Sequence, residues 1–169
     1  YRGTIFHDTT YPAFFAGAAG TGQIWLWTDY VDSKNLWVGF KPFADLVTGI
    51  QLDAENFQQV DLSTDKFWIL GLKGRQHLLL WLRNKADRWD HVLRDEREPP
   101  QIESITLDLK VLGVKSGMVR LFSPFQEPLG KTRIKGGQLI LPAFHYGLLV
   151  RIDGIETPDP FTEPPARCR

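Results

Sequence analysis

Apolar residues in the second half of the chain alternate with polar ones or form short continuous runs, and turn residues such as Gly136 and Gly137 separate them. This pattern predicts eight short strands. They cover 57–62, 66–72, 76–83, a strand from 105 that ends near 113, 118–123, 131–135, 138–141 and 148–153. The runs at 66–72 and 76–83 are almost wholly apolar, which is typical of central strands covered on both faces. The spacing predicts an antiparallel β-sandwich.

Residues 1–56 have a different texture. Thr9 or Thr10 as N-cap and Pro12 in the first turn predict a helix to about Ala19. A buried strand is then expected at 23–31, and helical spacing over 36–47 predicts a second helix. A helix, a strand and a helix joined by short connections are part of an α/β unit. The predicted fold class is therefore mainly β, with a helix-strand-helix segment in front of the sandwich.

We expect three regions: 1–56, the sandwich at 57–153, and a Pro-rich tail at 154–169. Twenty basic and twenty acidic residues give a net charge of zero, which argues against nucleic acid as a partner. No apolar run approaches the roughly 18 residues of a membrane span, so no membrane partner is expected. The single cysteine, Cys168, excludes an internal disulfide and leaves the compartment open, with a secreted or periplasmic location among the options.

Six tryptophans suggest contact with carbohydrate, but they also suit a sandwich core. On the predicted strand, Trp25 and Trp27 point the same way, as a sugar-stacking floor or as core. Asp29 and Tyr30 follow, where they would hydrogen-bond sugar hydroxyls or cap the loop. Trp68 and Trp89 form a second sugar-binding face only if both are exposed and coplanar. The remaining candidates, Trp37 and Trp81, are expected in the core.

Several motifs occur in order along the chain. They are His7-Asp8, Phe14-Phe15-Ala16-Gly17-Ala18-Ala19-Gly20-Thr21-Gly22, Trp25-Leu26-Trp27, Asp29-Tyr30-Val31, Asn35-Leu36-Trp37, Phe40-Lys41-Pro42, Leu79-Leu80-Trp81-Leu82-Arg83, Leu141-Pro142-Ala143-Phe144 and Leu149-Val150-Arg151. Together they resemble the C-terminal end of TIM-barrel glycoside hydrolases of the retaining two-glutamate clan, which are cellulase- or mannanase-like. Many members of this clan continue into a C-terminal β-sandwich. The resemblance covers residues 1–153. The chain departs from the family pattern where Asp8 replaces an Asn and Thr28 replaces an acidic residue.

The resemblance implies that residues 1–56 are the last βα segment of the barrel and 57–153 an accessory sandwich. The family's catalytic glutamates would precede Tyr1, so we expect no catalytic residue, metal or cofactor here and no activity from this chain alone. Retaining hydrolysis needs two carboxyl groups about 5–5.5 Å apart, and the acidic residues here fall mostly in turns and charged loops. Trp27 would stack on the glycone, flanked by Trp25, Asp29 and Tyr30. The expected partners are carbohydrate and the rest of the barrel.

A second interpretation is a free-standing β-sandwich that binds carbohydrate or a protein without catalysis. Residues 1–50 would then elaborate the sandwich. Segment 23–31 distinguishes the two interpretations, because it would either pair with sandwich strands or present an unpaired edge.

Overall fold

The computed structural model describes residues 3–95, 97–125 and 129–155, so almost all of the predicted tail at 154–169 lies outside the described residues. The α-helices are α1 (Thr4–Phe15), α2 (Phe40–Val47) and α3 (Leu52–Glu55). The strands are β1 (Gln58–Asp61), β2 (Phe67–Lys73), β3 (His77–Asn84), β4 (Ile105–Asp108), β5 (Met118–Phe122), β6 (Arg133–Lys135), β7 (Gln138–Leu141) and β8 (Gly147–Asp153).

All eight predicted strands are present, and their ends agree within two residues except at β4. That strand ends at Asp108, whose side chain accepts a hydrogen bond from the Lys110 amide and starts a 3-10 turn at Leu109–Leu112. The strands pair antiparallel in two sheets. One sheet has the order β1-β2-β3-β8-β5, and the other has the order β4-β7-β6.

Strand β3 lies at the centre of the larger sheet and is covered on both faces, as the sequence predicts. Leu78, Leu80 and Leu82 point into a core that is shared with the smaller sheet, where Leu139 and Leu141 are fully buried. Because side chains alternate along a strand, Leu79 and Trp81 point to the opposite face.

Two helices cover that opposite face. Tyr11, Phe14 and Phe15 of α1 and Leu46 of α2 pack with Trp81 and its neighbours in a second buried cluster. The prediction of a helix with Pro12 in its first turn is wrong, because α1 begins at Thr4 and Pro12 lies inside it. The predicted second helix is present as the 3-10 turn Leu36–Gly39 followed directly by α2.

The predicted strand at 23–31 is wrong. Residues 21–26 have no regular structure, and Trp27–Asp32 forms a short π-helical segment. The expected shared face is also absent, because Trp25 is 91% exposed and Val31 is fully buried. A strand needs hydrogen-bonded neighbours, and none of the paired strands in the described residues takes 23–31 as a partner. Instead, Val31 is buried against Phe6 and Leu36.

The fold therefore contains both classes of structure, with 29% helix and 30% strand, and its strands form two antiparallel sheets of five and three strands. The first fifty residues give a helix, an irregular segment and a second helix in place of helix-strand-helix. Within the ranges described, no helix has both the length and the apolar character that would let it cross a bilayer.

Candidate functional site

Two tryptophans of the helical region, Trp27 and Trp37, are in contact and are called here the tryptophan cluster. The rings of Trp27 and Trp37 are stacked, with centroids 5.3 Å apart and planes inclined by 13°. Trp37 is 46% exposed, so its expected place in the core is wrong. Its Nε1–H donates to the Asp32 carboxylate at 3.0 Å, which fixes the ring. Trp25, two residues before Trp27 and outside the regular elements, is almost wholly exposed.

Beneath the cluster, close packing of the backbone holds it in place. Phe40 stacks on Trp27 with centroids 6.3 Å apart and meets the buried Phe6 edge-on at 4.8 Å. A Cβ at Gly39 would lie 2.5 Å from the Phe6 ring, so only glycine allows this approach. The Tyr11 hydroxyl donates to the Gly39 carbonyl at 2.6 Å, and burial raises the pKa of Tyr11 above its usual value.

Asp29 and Tyr30, the other predicted sugar contacts, have different surroundings. Asp29 is exposed, its carboxylate accepts a hydrogen bond from the Thr28 hydroxyl at 3.3 Å, and its carbonyl accepts one from Ser33 at 2.7 Å. Tyr30 is half-buried against the Phe6 cluster. The structure thus places Asp29 at the surface, whereas Tyr30 packs partly against the buried Phe6 cluster.

A buried ion-pair network joins α1 to the end of β3. The fully buried Arg83 donates through Nε to Asp8 at 2.9 Å and through Nη1 to the buried carboxylate of Asp87. It also donates to the carbonyl of Tyr146 at 3.2 Å. Burial raises the pKa of Asp87, and the nearby guanidinium offsets this only in part. The carboxylates of Asp8 and Asp87 therefore neutralise the buried guanidinium of Arg83 and do not form a pair of solvent-exposed carboxyl groups.

A second network surrounds His77 at the start of β3. Its Nδ1 lies 2.8 Å from Glu55 and its Nε2 lies 3.3 Å from Asp153. Burial raises the pKa of Glu55, but hydrogen bonds from the Gln76 amide and from His77 outweigh it and leave the pKa below its usual value. In the residues that the structure describes, no three His, Cys, Asp or Glu side chains are grouped as metal ligands.

The second predicted sugar face is exposed at both of its residues. Trp68 projects from β2 and Trp89 precedes a π-helical turn at Asp90–Arg94 in the charged loop, and both are exposed. Lys85 lies over the Trp68 ring, with Nζ 5.5 Å from the centroid. Trp68 also lines a groove with Asp8 and Pro12 of α1, and no local sequence pattern indicates this long-range contact.

No profile of a known protein family matches this chain, and no curated protein matches it either. The likeness to glycoside hydrolases therefore rests on the ordered sequence motifs alone.

Proposed function

We propose that this chain is the C-terminal region of a glycoside hydrolase that acts on β-linked polysaccharide, either glucan or mannan. In this proposal the two sheets are an accessory β-sandwich and residues 1–56 are the last part of the catalytic barrel. The chain contributes structure and one aromatic contact to the glycone. The nucleophile and the acid/base glutamate come from a part of the enzyme that precedes these residues.

The observation that carries the proposal is the tryptophan cluster. Trp27 and Trp37 are stacked and anchored, so an additional ring placed on them loses little side-chain entropy. Indole faces suit the C–H face of a pyranose, and the Asp29 carboxylate two residues after Trp27 accepts hydrogen bonds from hydroxyl groups. The cluster sits in the segment that carries the hydrolase-like motifs, which supports the assignment of Trp27 to the glycone.

Exposed apolar residues beside the cluster support a contact with the rest of the barrel. Leu26 and Val38 are each about half exposed, and Ile5 on α1 is exposed as well. Exposed apolar side chains of this kind suit a contact with another part of a larger protein.

The test compares the full-length protein with this chain alone on cellohexaose and mannohexaose. We expect turnover by the full-length protein and none by the pure chain. Trp27→Ala in the full-length protein should lower kcat/KM about tenfold, which corresponds to roughly 1.4 kcal/mol of lost stacking. Met118→Ala, at an exposed apolar residue of β5, is the control and should leave kcat/KM unchanged. Turnover by the isolated chain, or an unchanged kcat/KM in Trp27→Ala, would contradict the proposal.

A free-standing carbohydrate-binding or protein-interaction module is the second candidate. The observation in its favour is the common core of α1, α2 and the larger sheet, in which Tyr11, Phe15 and Leu46 are buried against Trp81. The amino-acid sequence encoded upstream of Tyr1 separates the two. A glutamate at the end of a strand shortly upstream selects the hydrolase, and a sequence without one selects the module.

A further inference from the structure

A groove lies on the helix-facing side of the larger sheet, between α1 and the β2–β3 pair. Asp8 and Pro12 of α1 form one wall, and Trp68, Leu70 and Trp81 form the floor and the other wall. Its volume is about 360 Å³, which lies within the range of small-molecule sites. The groove is separate from the tryptophan cluster described above, because the two sets of lining residues have no member in common.

Strand register explains why these side chains meet. In the β2–β3 ladder Trp68 stands opposite Arg83 and Leu70 stands opposite Trp81. Residues two apart and residues directly opposite share one face of a sheet. All four side chains therefore project toward α1.

The indole of Trp68 is fixed and partly open. Lys85 lies over its ring, and the ammonium is held there because it donates to the Thr64 carbonyl at 2.6 Å. The side chain nevertheless remains 41% exposed. A rigid aromatic surface at a groove is a stacking surface for a flat apolar group.

The polar groups that α1 brings to the groove are hydrogen-bond acceptors. Asp8 presents a carboxylate whose side chain is 44% exposed. Pro12, one turn later, has no amide N–H. It therefore cannot donate the usual i→i−4 hydrogen bond to the Asp8 carbonyl. Acceptors beside an aromatic surface select a ligand that has an apolar face and hydroxyl or N–H donors at its edge.

Charge balance distinguishes between those donors. The Asp8 carboxylate already pairs with the buried Arg83 at 2.9 Å, and Lys85 places a second positive charge at Trp68. Arg83 and Lys85 would repel a cationic ligand. The Asp8 carboxylate, which could balance the charge of such a ligand, is already paired with Arg83. A neutral polyol is not repelled by these cations and needs no counter-ion.

We propose that this groove binds a pyranose unit of an uncharged oligosaccharide, with the sugar ring stacked on Trp68 and its hydroxyl groups donating to Asp8. The assignment follows from the chemistry of the groove and does not depend on the proposed hydrolase function. It gives the chain a carbohydrate subsite away from the tryptophan cluster.

The experiment is a titration of the chain, labelled with ¹⁵N, with cellohexaose, mannohexaose and xylohexaose, followed through the six tryptophan indole N–H signals. We expect the Trp68 signal to move and to report a dissociation constant in the millimolar range or below. Tetramethylammonium serves as a cationic probe and should leave that signal in place. No movement with any of the three sugars, or movement with tetramethylammonium alone, would overturn the proposal.

Variants locate the binding. Trp68→Ala should weaken it at least tenfold, and Met118→Ala, at an exposed apolar residue of β5 outside the groove, should not change it. Trp68→Phe keeps an aromatic ring at this position and should weaken binding by less than Trp68→Ala, which keeps the test valid if thermal unfolding shows that the alanine variant does not fold. Sugar binding that survives both Trp68 variants would refute the groove. Binding lost in Trp27→Ala but kept in Trp68→Ala would refute the groove as a sugar site and leave the proposed function intact. Binding lost in Trp68→Ala but kept in Trp27→Ala would support the groove as a sugar site without supporting that function.

Discussion

Replacing Arg83 by methionine removes the only guanidinium that the described residues bring to Asp87, and it keeps most of the side-chain volume. Arg83 is fully buried, and Asp87 beside it is nearly so. The substitution also removes the donor to Asp8 at 2.9 Å and the donor to the Tyr146 carbonyl at 3.2 Å. The Thr4 hydroxyl, 3.5 Å from Asp87, is a weak replacement.

The cost follows from the carboxylate that is left behind. Breaking a buried ion pair by removing one partner costs about 3–5 kcal/mol, which is a large part of the roughly 5–15 kcal/mol that holds a domain folded. Burial already raises the pKa of Asp87, and losing Arg83 removes the opposing effect. With a raised pKa the folded state binds more protons than the unfolded state, so folding stability falls as pH rises. The deficit of Arg83→Met should therefore be larger at pH 7 than near pH 4.5.

Urea denaturation at both pH values measures this deficit as a change in the free energy of unfolding. The double variant Arg83→Met/Asp87→Leu should recover much of the loss, because no buried charge remains. Lys41→Met is the matched control, since its pair with Asp45 is an exposed i,i+4 contact that is worth roughly 0.3–0.5 kcal/mol. A loss below about 1 kcal/mol in Arg83→Met, or a deficit that grows as pH falls, would refute the reasoning, because the cost of a buried partner-less carboxylate is well above that of a surface pair.

Two further predictions concern the larger sheet. Gly71→Ala should destabilise the protein by about 1–3 kcal/mol through overpacking. A Cβ at this position would lie 2.6 Å from a Leu80 methyl and 2.9 Å from the Leu79 carbonyl oxygen. A melting temperature equal to that of the wild type would contradict this prediction. For Glu55, the lowered pKa means that its contribution is present above the usual value of 4.5 and is lost as pH falls through the folded-state value. The stability gap between wild type and Glu55→Gln, measured by urea denaturation, should therefore be wide at pH 7 and narrow at pH 3, and a gap that stays constant would show that His77 does not stabilise the carboxylate.

The strands were predictable because their signal is local. Runs such as Leu78–Leu82 are apolar at every position, and Gly136 and Gly137 mark a turn with positive φ at both residues. Pairing order is not local. Nothing in the sequence of β8 indicates that it inserts between β3 and β5, because that choice depends on side-chain packing across some seventy residues of chain.

The candidate site was less predictable, because period-two spacing does not by itself specify a strand. Trp25, Trp27 and Val31 are spaced as a strand requires, yet Val31 is buried and Trp25 is exposed. Without neighbouring strands, the segment gains more from burying Val31 on Phe6 than from extending. The exposure of Trp37 was not predicted for a related reason, since its spacing assumed an α-helix but the residue lies in the 3-10 turn Leu36–Gly39. The glycone contact of Trp27 stays a prediction, as does the division at residue 56.

The position of β8 determines when the larger sheet can close. It is the last strand in the part of the chain that the structure describes, yet it lies between β3 and β5 and pairs with both. During synthesis, therefore, β3 leaves the ribosome with one edge unpaired until residue 153 has also emerged. That edge belongs to a strand in which Leu78, Leu79 and Leu80 become fully buried, and exposed apolar edges recruit other chains. Premature termination anywhere before Gly147 should thus yield a nascent chain that depends on chaperones or aggregates, however well its helices have formed.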